Sequence, residues 1–167
     1  CDLEGEINNT ITKEIFENKI KLFPEVKDKI EYFIDWDDDN FVSSLSNSDV
    51  LLGWNFPTKD IKKIAPNLKW IHVISAGVNH LYPFDWMSDE CVLTNSSGVH
   101  AKKAGEFGLM SILMLQSHIT KIVTNQRNKD FISLLSKPIA GKKVVAVGTG
   151  SLGGSMIKHI SKLDVEV

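Results

Sequence analysis

Near the carboxyl end of the chain, Val144-Val145-Ala146-Val147 runs into Gly148-Thr149-Gly150-Ser151-Leu152-Gly153-Gly154, which has the spacing G-x-G-x-x-G. The run before it is apolar like a buried strand. The residues after it, Met156, Ile157, Ile160 and Leu163, have the spacing of an amphipathic helix. In that context each glycine has a separate task. Gly148 permits a tight turn, Gly150 lets backbone approach a pyrophosphate, and Gly153 allows a helix to sit close to a strand. The helix opening at Ser151 and Leu152 adds unpaired N–H groups and the positive end of its dipole, both suited to an anion. A glycine-rich turn in another α/β fold is the alternative, and the strand–turn–helix context favours dinucleotide binding.

Other clusters of reactive residues carry less. The acidic run Asp35, Asp37, Asp38, Asp39 resembles the first half of a calcium loop, but Asn40 stands where the glycine belongs and Ser46 where the closing Glu belongs. A solvated loop entering a helix is the expectation there. His72, His80, His100, His118 and His159 show no i, i+4 pairing and no neighbouring Cys, so no metal site is expected. Cys1 and Cys91 are too few for a disulfide framework and fit a reducing, cytoplasmic setting. Cys1 is also the first residue, as in an acylated lipoprotein or in a chain cut upstream, and the second reading is preferred. Trp54, Trp70 and Trp86 are expected in the core.

The elements that must position these residues alternate between strand and helix. Residues 11–31 have helical spacing (Ile11, Ile15, Ile20, Phe23) interrupted by Pro24, and Tyr32-Phe33-Ile34 reads as a short strand. Asp49 to Trp54 reads as a buried parallel strand, Lys59 to Ile64 as a short helix closed by Pro66, Leu68 to Ile74 and Val92 to Thr94 as strands. One long helix is expected from about Ser97 to Thr124, with Phe107, Met110, Leu113, Met114 and Ile122 on a broad apolar face. Lys143 to Val147 is a final strand, and Asp164 to Val167 looks like the start of the next. The alternation means an α/β protein with parallel sheets.

The composition agrees. In 167 residues, 43% hydrophobic and 24% charged, a packed core is affordable and disordered or collagen-like chains are excluded. The net charge of -2 hides an uneven distribution, -8 over residues 1–50 and +6 over residues 101–167, which argues against a nucleic-acid module with a uniform basic face. The longest apolar stretch, Leu109 to Leu115, is seven residues and contains Ser111. It reads as a buried helix segment, not a membrane span, and no secretory signal opens the chain.

Three stretches in order resemble the D-isomer-specific 2-hydroxyacid dehydrogenases: Leu68 to Leu81, containing Ser75-Ala76-Gly77-Val78; Val92 to His100, leading to Gly105-Glu106-Phe107; and Gly141-Lys142-Lys143 into the glycine fingerprint. The similarity runs in register over residues 49–167 and is loose over 1–48. It implies a flavodoxin-like substrate domain, residues 1–97, followed by the start of a Rossmann-type NAD(P)-binding domain, residues 98–167, with the active site in the cleft between them. It further implies a cofactor, NAD or NADP, a small 2-hydroxy or 2-oxo acid as substrate, and a homodimer formed through the long helix.

In such enzymes the loop matching Ser75, Ala76, Gly77 and Val78 holds the substrate carboxylate through backbone N–H groups. A glycine at the carboxyl end of a strand can form such a nest, and a plain strand-to-helix turn is the competing reading. The family's catalytic Arg, Glu and His match no residue of this chain, since Arg127 lies in a polar stretch before the fingerprint. The chain is therefore expected to be a fragment without hydride-transfer residues, and a dinucleotide-sensing binding protein on the same fold is the alternative. Asn95 lines the cleft or simply turns the chain, His100 packs or caps a helix, and Glu106 complements a helix dipole.

Overall fold

The computed structural model describes residues 11–35 and 40–167. Two compact units divide it, one containing the chain through Val73 together with Asn79–Thr94, the other Ile74–Val78 together with Asn95–Val167.

In the first unit, helix α1 (Lys13–Ile20) starts where Thr12 caps it, its Oγ1 accepting the Ile15 N–H at 3.2 Å. Pro24 then opens the short helix α2 (Pro24–Lys27), a position where the missing N–H costs nothing. After α3 (Phe41–Leu45), strand β1 (Val50–Gly53) leads through α4 (Ile61–Ile64) to β2 (Trp70–Val73), and two 3-10 turns precede β3 (Val92–Asn95). The sheet order is β1-β2-β3. β1 and β2 run parallel with Val50 opposite Trp70 and Gly53 opposite Val73. β3 joins the other edge of β2 in the same direction, the Val92 N–H donating to the Lys69 carbonyl and the Ser96 N–H to Ser75.

Because β2 is flanked on both sides, its alternate residues Ile71 and Val73 are fully buried, in a core shared with Leu45, Ile61, Ala65, Leu68, Leu81 and Cys91. Burial pushes the Cys91 thiol above its ordinary pKa. Trp70 and His72 alternate with these core residues and both reach Thr94. Trp70 Nε1 donates to Thr94 Oγ1 at 2.8 Å, and His72 Nδ1 lies 2.9 Å from the same oxygen.

Several sequence expectations change here. β1 is parallel but not buried, its residues alternating between exposed and half-buried, because it has a strand neighbour on one side only among the described residues. Trp54 and Trp70 stand 50% and 45% exposed and are not core, Trp70 because it lies on the face of β2 opposite to Ile71. Tyr32-Phe33-Ile34 pairs with no strand among the described residues. Tyr32 instead turns back to α1, its hydroxyl donating to Glu17 at 2.8 Å and its ring lying 4.4 Å from that of Phe16 at a 46° tilt. The acidic run at 37–39 lies outside the described residues, as does Cys1. Asp35 accepts from the Ser44 hydroxyl at 2.6 Å.

The second unit is built on helix α5 (Ala101–Gln116), α6 (Ile119–Asn128) and α7 (Ser151–Ile160). The single helix expected over 97–124 is two, because His118 adopts a left-handed φ of 56° that no continuous α-helix tolerates, and the two axes differ by 62°. Among the described residues no single helix is long and apolar enough to cross a membrane. The face of α5 that packs is not the one its large residues suggest. Gly105 and Gly108 are buried against α7, while Phe107 and Leu115 are 61% and 66% exposed, so Leu109 to Leu115 is not a buried stretch. Small residues let the two helix backbones approach, and Ser155, Met156 and His159 of α7 occupy the space a side chain would need.

The expected strand at Lys143–Val147 is reduced to one parallel bridge, Lys143 with Glu166. It is held by hydrogen bonds from Val144 N–H to Glu166 (2.8 Å) and from Glu166 N–H to Lys142 (2.9 Å). Direction and register are those of a β–α–β unit. The ladder is short because these residues have a partner along one edge only among the described residues, leaving Val145 and Val147 at 86% and 98% exposure.

Ile71→Ala should remove about 3 kcal/mol of stability in urea unfolding, the usual cost of a buried isoleucine. Leu52→Ala, on the half-open face, should cost well under half as much in the same titration.

Candidate functional site

The chain leaves Val147 through Gly148, whose φ of +93° is the left-handed region that favours glycine. Gly150 then takes the N-cap position of α7 in extended conformation, and the Gly154 N–H closes the first turn on its carbonyl at 2.7 Å. Among the described residues no side chain caps this helix, which leaves the first-turn N–H groups of Ser151, Leu152 and Gly153 at the positive end of the dipole.

A hypothetical Cβ separates the glycines by task. At Gly148 and Gly150 it would meet nothing within 4 Å, so both border open space. At Gly153 it would overlap the carbonyl of Gly148, so that glycine is required by the fold itself. Open backbone next to a bare helix N-terminus is the cradle a dinucleotide pyrophosphate needs, and the residues present fit that group. α7 is held in place by its buried end at Ile160 and by the glycine face of α5.

Ser75, Ala76, Gly77 and Val78 continue from the carboxyl end of β2 and belong to the same compact unit as the fingerprint. Their carbonyls are taken up one after another. Ser75 accepts the Ser96 N–H at 3.0 Å, Ala76 accepts the Asn95 side-chain amide at 3.1 Å, and Gly77 accepts the Ser75 hydroxyl at 2.6 Å. These peptides are trans, so each N–H points opposite to the carbonyl before it. The N–H groups of Ala76, Gly77 and Val78 therefore face away from the groups that hold the loop. Gly77 is not among the glycines with positive φ, so the loop presents its donors through anchored carbonyls and not through a nest of alternating hand.

The crossing segment ties these pieces together inside the unit. Asn95 ends β3, its Oδ1 accepts the Ser97 N–H at 3.2 Å, and Gly98 (φ +90°) sits with a would-be Cβ 3.6 Å from the Ser151 hydroxyl at the start of α7. A chain of contacts thus runs from the 75–78 loop to the fingerprint helix.

Of the remaining candidates, His100 occupies the N-cap position of α5 but makes no capping side-chain bond. Glu106 lies beyond the first turn of α5 and pairs with Lys103 at 3.7 Å, so it does not serve the dipole. Arg127 is exposed on α6. His80 Nε2 lies 2.7 Å from the Trp54 carbonyl. In the sequence Gly98 and Gly105 entered only as members of the resembling stretches, with no packing role, and Gly108 not at all. The only available signal was the i, i+3 spacing of Gly105 and Gly108 within an apolar helix.

No family model matches the chain, and no curated protein does. Solved structures do. A D-isomer specific 2-hydroxyacid dehydrogenase family protein from Aeromonas salmonicida matches with a TM-score of 0.71 at 17% identity, over 90% of this chain and 47% of its own. An NADPH-dependent glyoxylate/hydroxypyruvate reductase from Sinorhizobium meliloti, in complex with NADP and sulfate, matches at 0.69 and 20% identity, over 94% and 48%. An NAD-dependent formate dehydrogenase from Staphylococcus aureus, in complex with NAD, matches at 0.64 and 17%, over 97% and 51%. The chain spans about half the length of these structures. From the parallel sheet of the first unit to the glycine fingerprint of the second, the chain has the α/β fold of the D-isomer-specific 2-hydroxyacid and formate dehydrogenases.

Proposed function

We propose that this chain carries the carboxylate-binding and dinucleotide-binding loops of an NAD(P)-dependent oxidoreductase that moves a hydride between a nicotinamide and a small D-2-hydroxy or 2-oxo acid. The observation that supports the reading most is the sorting of the fingerprint glycines: Gly148 and Gly150 border open space and Gly153 packs against backbone. Gly148 is needed for its φ of +93° and Gly153 for packing, whereas Gly150, at a φ of -67° that any residue adopts, is a glycine that neither strain nor packing requires. The ligands in complex with the similar reductase and formate dehydrogenase, NADP and NAD, are of the class this cradle suits.

In this reading Gly148, Gly150, Ser151, Leu152 and Gly153 hold the pyrophosphate by backbone donors and the helix dipole. The N–H groups of Ala76, Gly77 and Val78 hold the carboxylate of the acid, so orientation depends on backbone and not on a flexible side chain. The nicotinamide, when bound, supplies the hydride donor or acceptor. No residue of the chain is assigned to proton or hydride transfer. Phe107, Met110, Leu113 and Leu115 of α5, with Ile122 and Val123 of α6, are exposed apolar side chains, and a homodimer would cover part of them.

Gly150→Val should weaken NADH or NADPH binding by more than about tenfold, or roughly 1.4 kcal/mol, in a fluorescence titration and leave the melting curve of the free chain in place. Gly153→Val should lower that melting temperature by roughly 3–10 °C, as expected for overpacking in a domain of this size. Unchanged binding in Gly150→Val would reduce the loop to a turn and remove the main support for the reading. NADH bound to the 167-residue chain should not be consumed on adding glyoxylate, pyruvate or hydroxypyruvate, and a fall in its absorbance would show catalytic groups within the chain.

Light scattering should give twice the 18.7 kDa chain mass for wild type and the monomer for Leu115→Glu. A monomeric wild type at micromolar concentration would refute the dimer.

A further inference from the structure

The contact that holds the fingerprint helix contains a thioether. Met156 lies in the middle of α7, and its side chain fills the space that Gly108 leaves on α5. A Cβ built at Gly108 would overlap the Met156 methyl group and would lie 2.8 Å from its Cγ and 3.2 Å from its sulfur. One turn earlier on α5, Ser155 and His159 occupy the space over Gly105 in the same way. The sulfur therefore lies against the backbone of α5 in mid-helix, where each N–H is already bonded within the helix. Of the four methionines, Met156 alone supplies the nearest atoms to a missing glycine Cβ among the described residues, whereas Met110 is 45% exposed. Met156 is itself half-buried and so open to small solutes. Of the three α7 side chains in the contact, only the thioether is readily oxidised by a peroxide.

We propose that Met156 is a reversible oxidation site that controls the fingerprint: hydrogen peroxide converts its thioether to the sulfoxide, which loosens α7 from α5 and lowers dinucleotide affinity. In that step the sulfur gives an electron pair to one peroxide oxygen. An S–O bond forms as the O–O bond breaks, and the second oxygen leaves with both protons as water. The sulfur is oxidised by two electrons and the peroxide is reduced by two. The new oxygen needs room beside Gly108, where little is left, and it is a hydrogen-bond acceptor facing a helix with no free donor. Gly150 and Ser151 open the same helix, so a shift of α7 carries the pyrophosphate donors with it. Methionine sulfoxide reductase removes the oxygen, which makes the change reversible. The thiol of Cys91 is less suited to this role, because it is buried in the first unit and burial raises its pKa, which suppresses the reactive thiolate. The proposal rests on the dinucleotide reading given above and adds its regulation.

The test titrates the 167-residue chain with NADH before and after treatment with hydrogen peroxide, and locates the oxidised residues by peptide mass spectrometry. Peroxide should add one oxygen to Met156 and reduce NADH affinity by about fivefold or more, the effect of one unsatisfied hydrogen-bonding group. The melting temperature should fall by roughly 3–10 °C for the same reason. Methionine sulfoxide reductase with a thiol reductant should restore both. Met156→Leu keeps the volume without the sulfur, and should bind NADH like untreated wild type before and after peroxide. The combined variant Met87→Leu, Met110→Leu and Met114→Leu retains Met156 and should respond to peroxide as wild type does, so the test stands even where Met156→Leu folds poorly. Three results would overturn the proposal: Met156 left unoxidised while Met110 gains oxygen, NADH affinity unchanged once Met156 is oxidised, or an equal loss of affinity in Met156→Leu. If the untreated chain binds no NADH, the dinucleotide reading fails and the proposal with it. NADH binding that survives oxidation of Met156 overturns the proposal alone.

Discussion

A parallel strand ends with backbone groups that have no further ladder partner, and every candidate loop in this chain is built on such an end. The loop at Ser75–Val78 continues β2, the segment at Asn95–Gly98 continues β3, and the glycine fingerprint continues the Lys143–Val147 run. In α/β sheets ligands bind beyond the carboxyl ends of the strands because unpaired donors and helix N-termini gather there. The chain meets the resulting accounting problem in two ways. It consumes carbonyls internally, at Ser75, Ala76 and Gly77, and among the described residues it leaves N–H groups over.

The fingerprint helix depends on a second constraint, the closeness of α5. Two buried glycines on α5 admit Ser155, Met156 and His159 of α7, and the overlap a Cβ would make at Gly105 or Gly108 shows how little space remains. Away from this contact Phe107 of α5 stands exposed, and so does Leu115 two turns beyond Gly108. The usual association of large apolar residues with the core is inverted on this helix, since its tightest neighbour is a backbone-distance contact.

In the first unit the same economy is visible around β2. Ile71 and Val73 anchor the core, while Trp70 and His72, alternating with them, meet on the hydroxyl of Thr94 across β3. Trp70 lies on this face, opposite to Ile71, at 45% exposure, which is why it is not a core residue.

The sequence by itself determined the features that rest on local backbone chemistry. The α/β class follows from runs of Val, Ile and Leu bounded by turn residues, and the division of labour among Gly148, Gly150 and Gly153 follows from what a missing Cβ allows. The start of a second strand at Asp164–Val167 was also legible, and the structure supplied its register, Lys143 with Glu166. Tertiary structure decided whatever depends on what lies next to a residue. The break at His118, the exposed residues of α5 and the lack of a strand partner for Tyr32-Phe33-Ile34 among the described residues are examples, because periodicity records which residues share a face but not which face meets a neighbour. Asn95 belongs to this second group. Its identity suggested a turn, and only the approach of the Ala76 carbonyl, 19 positions away in sequence, gave its amide a second partner.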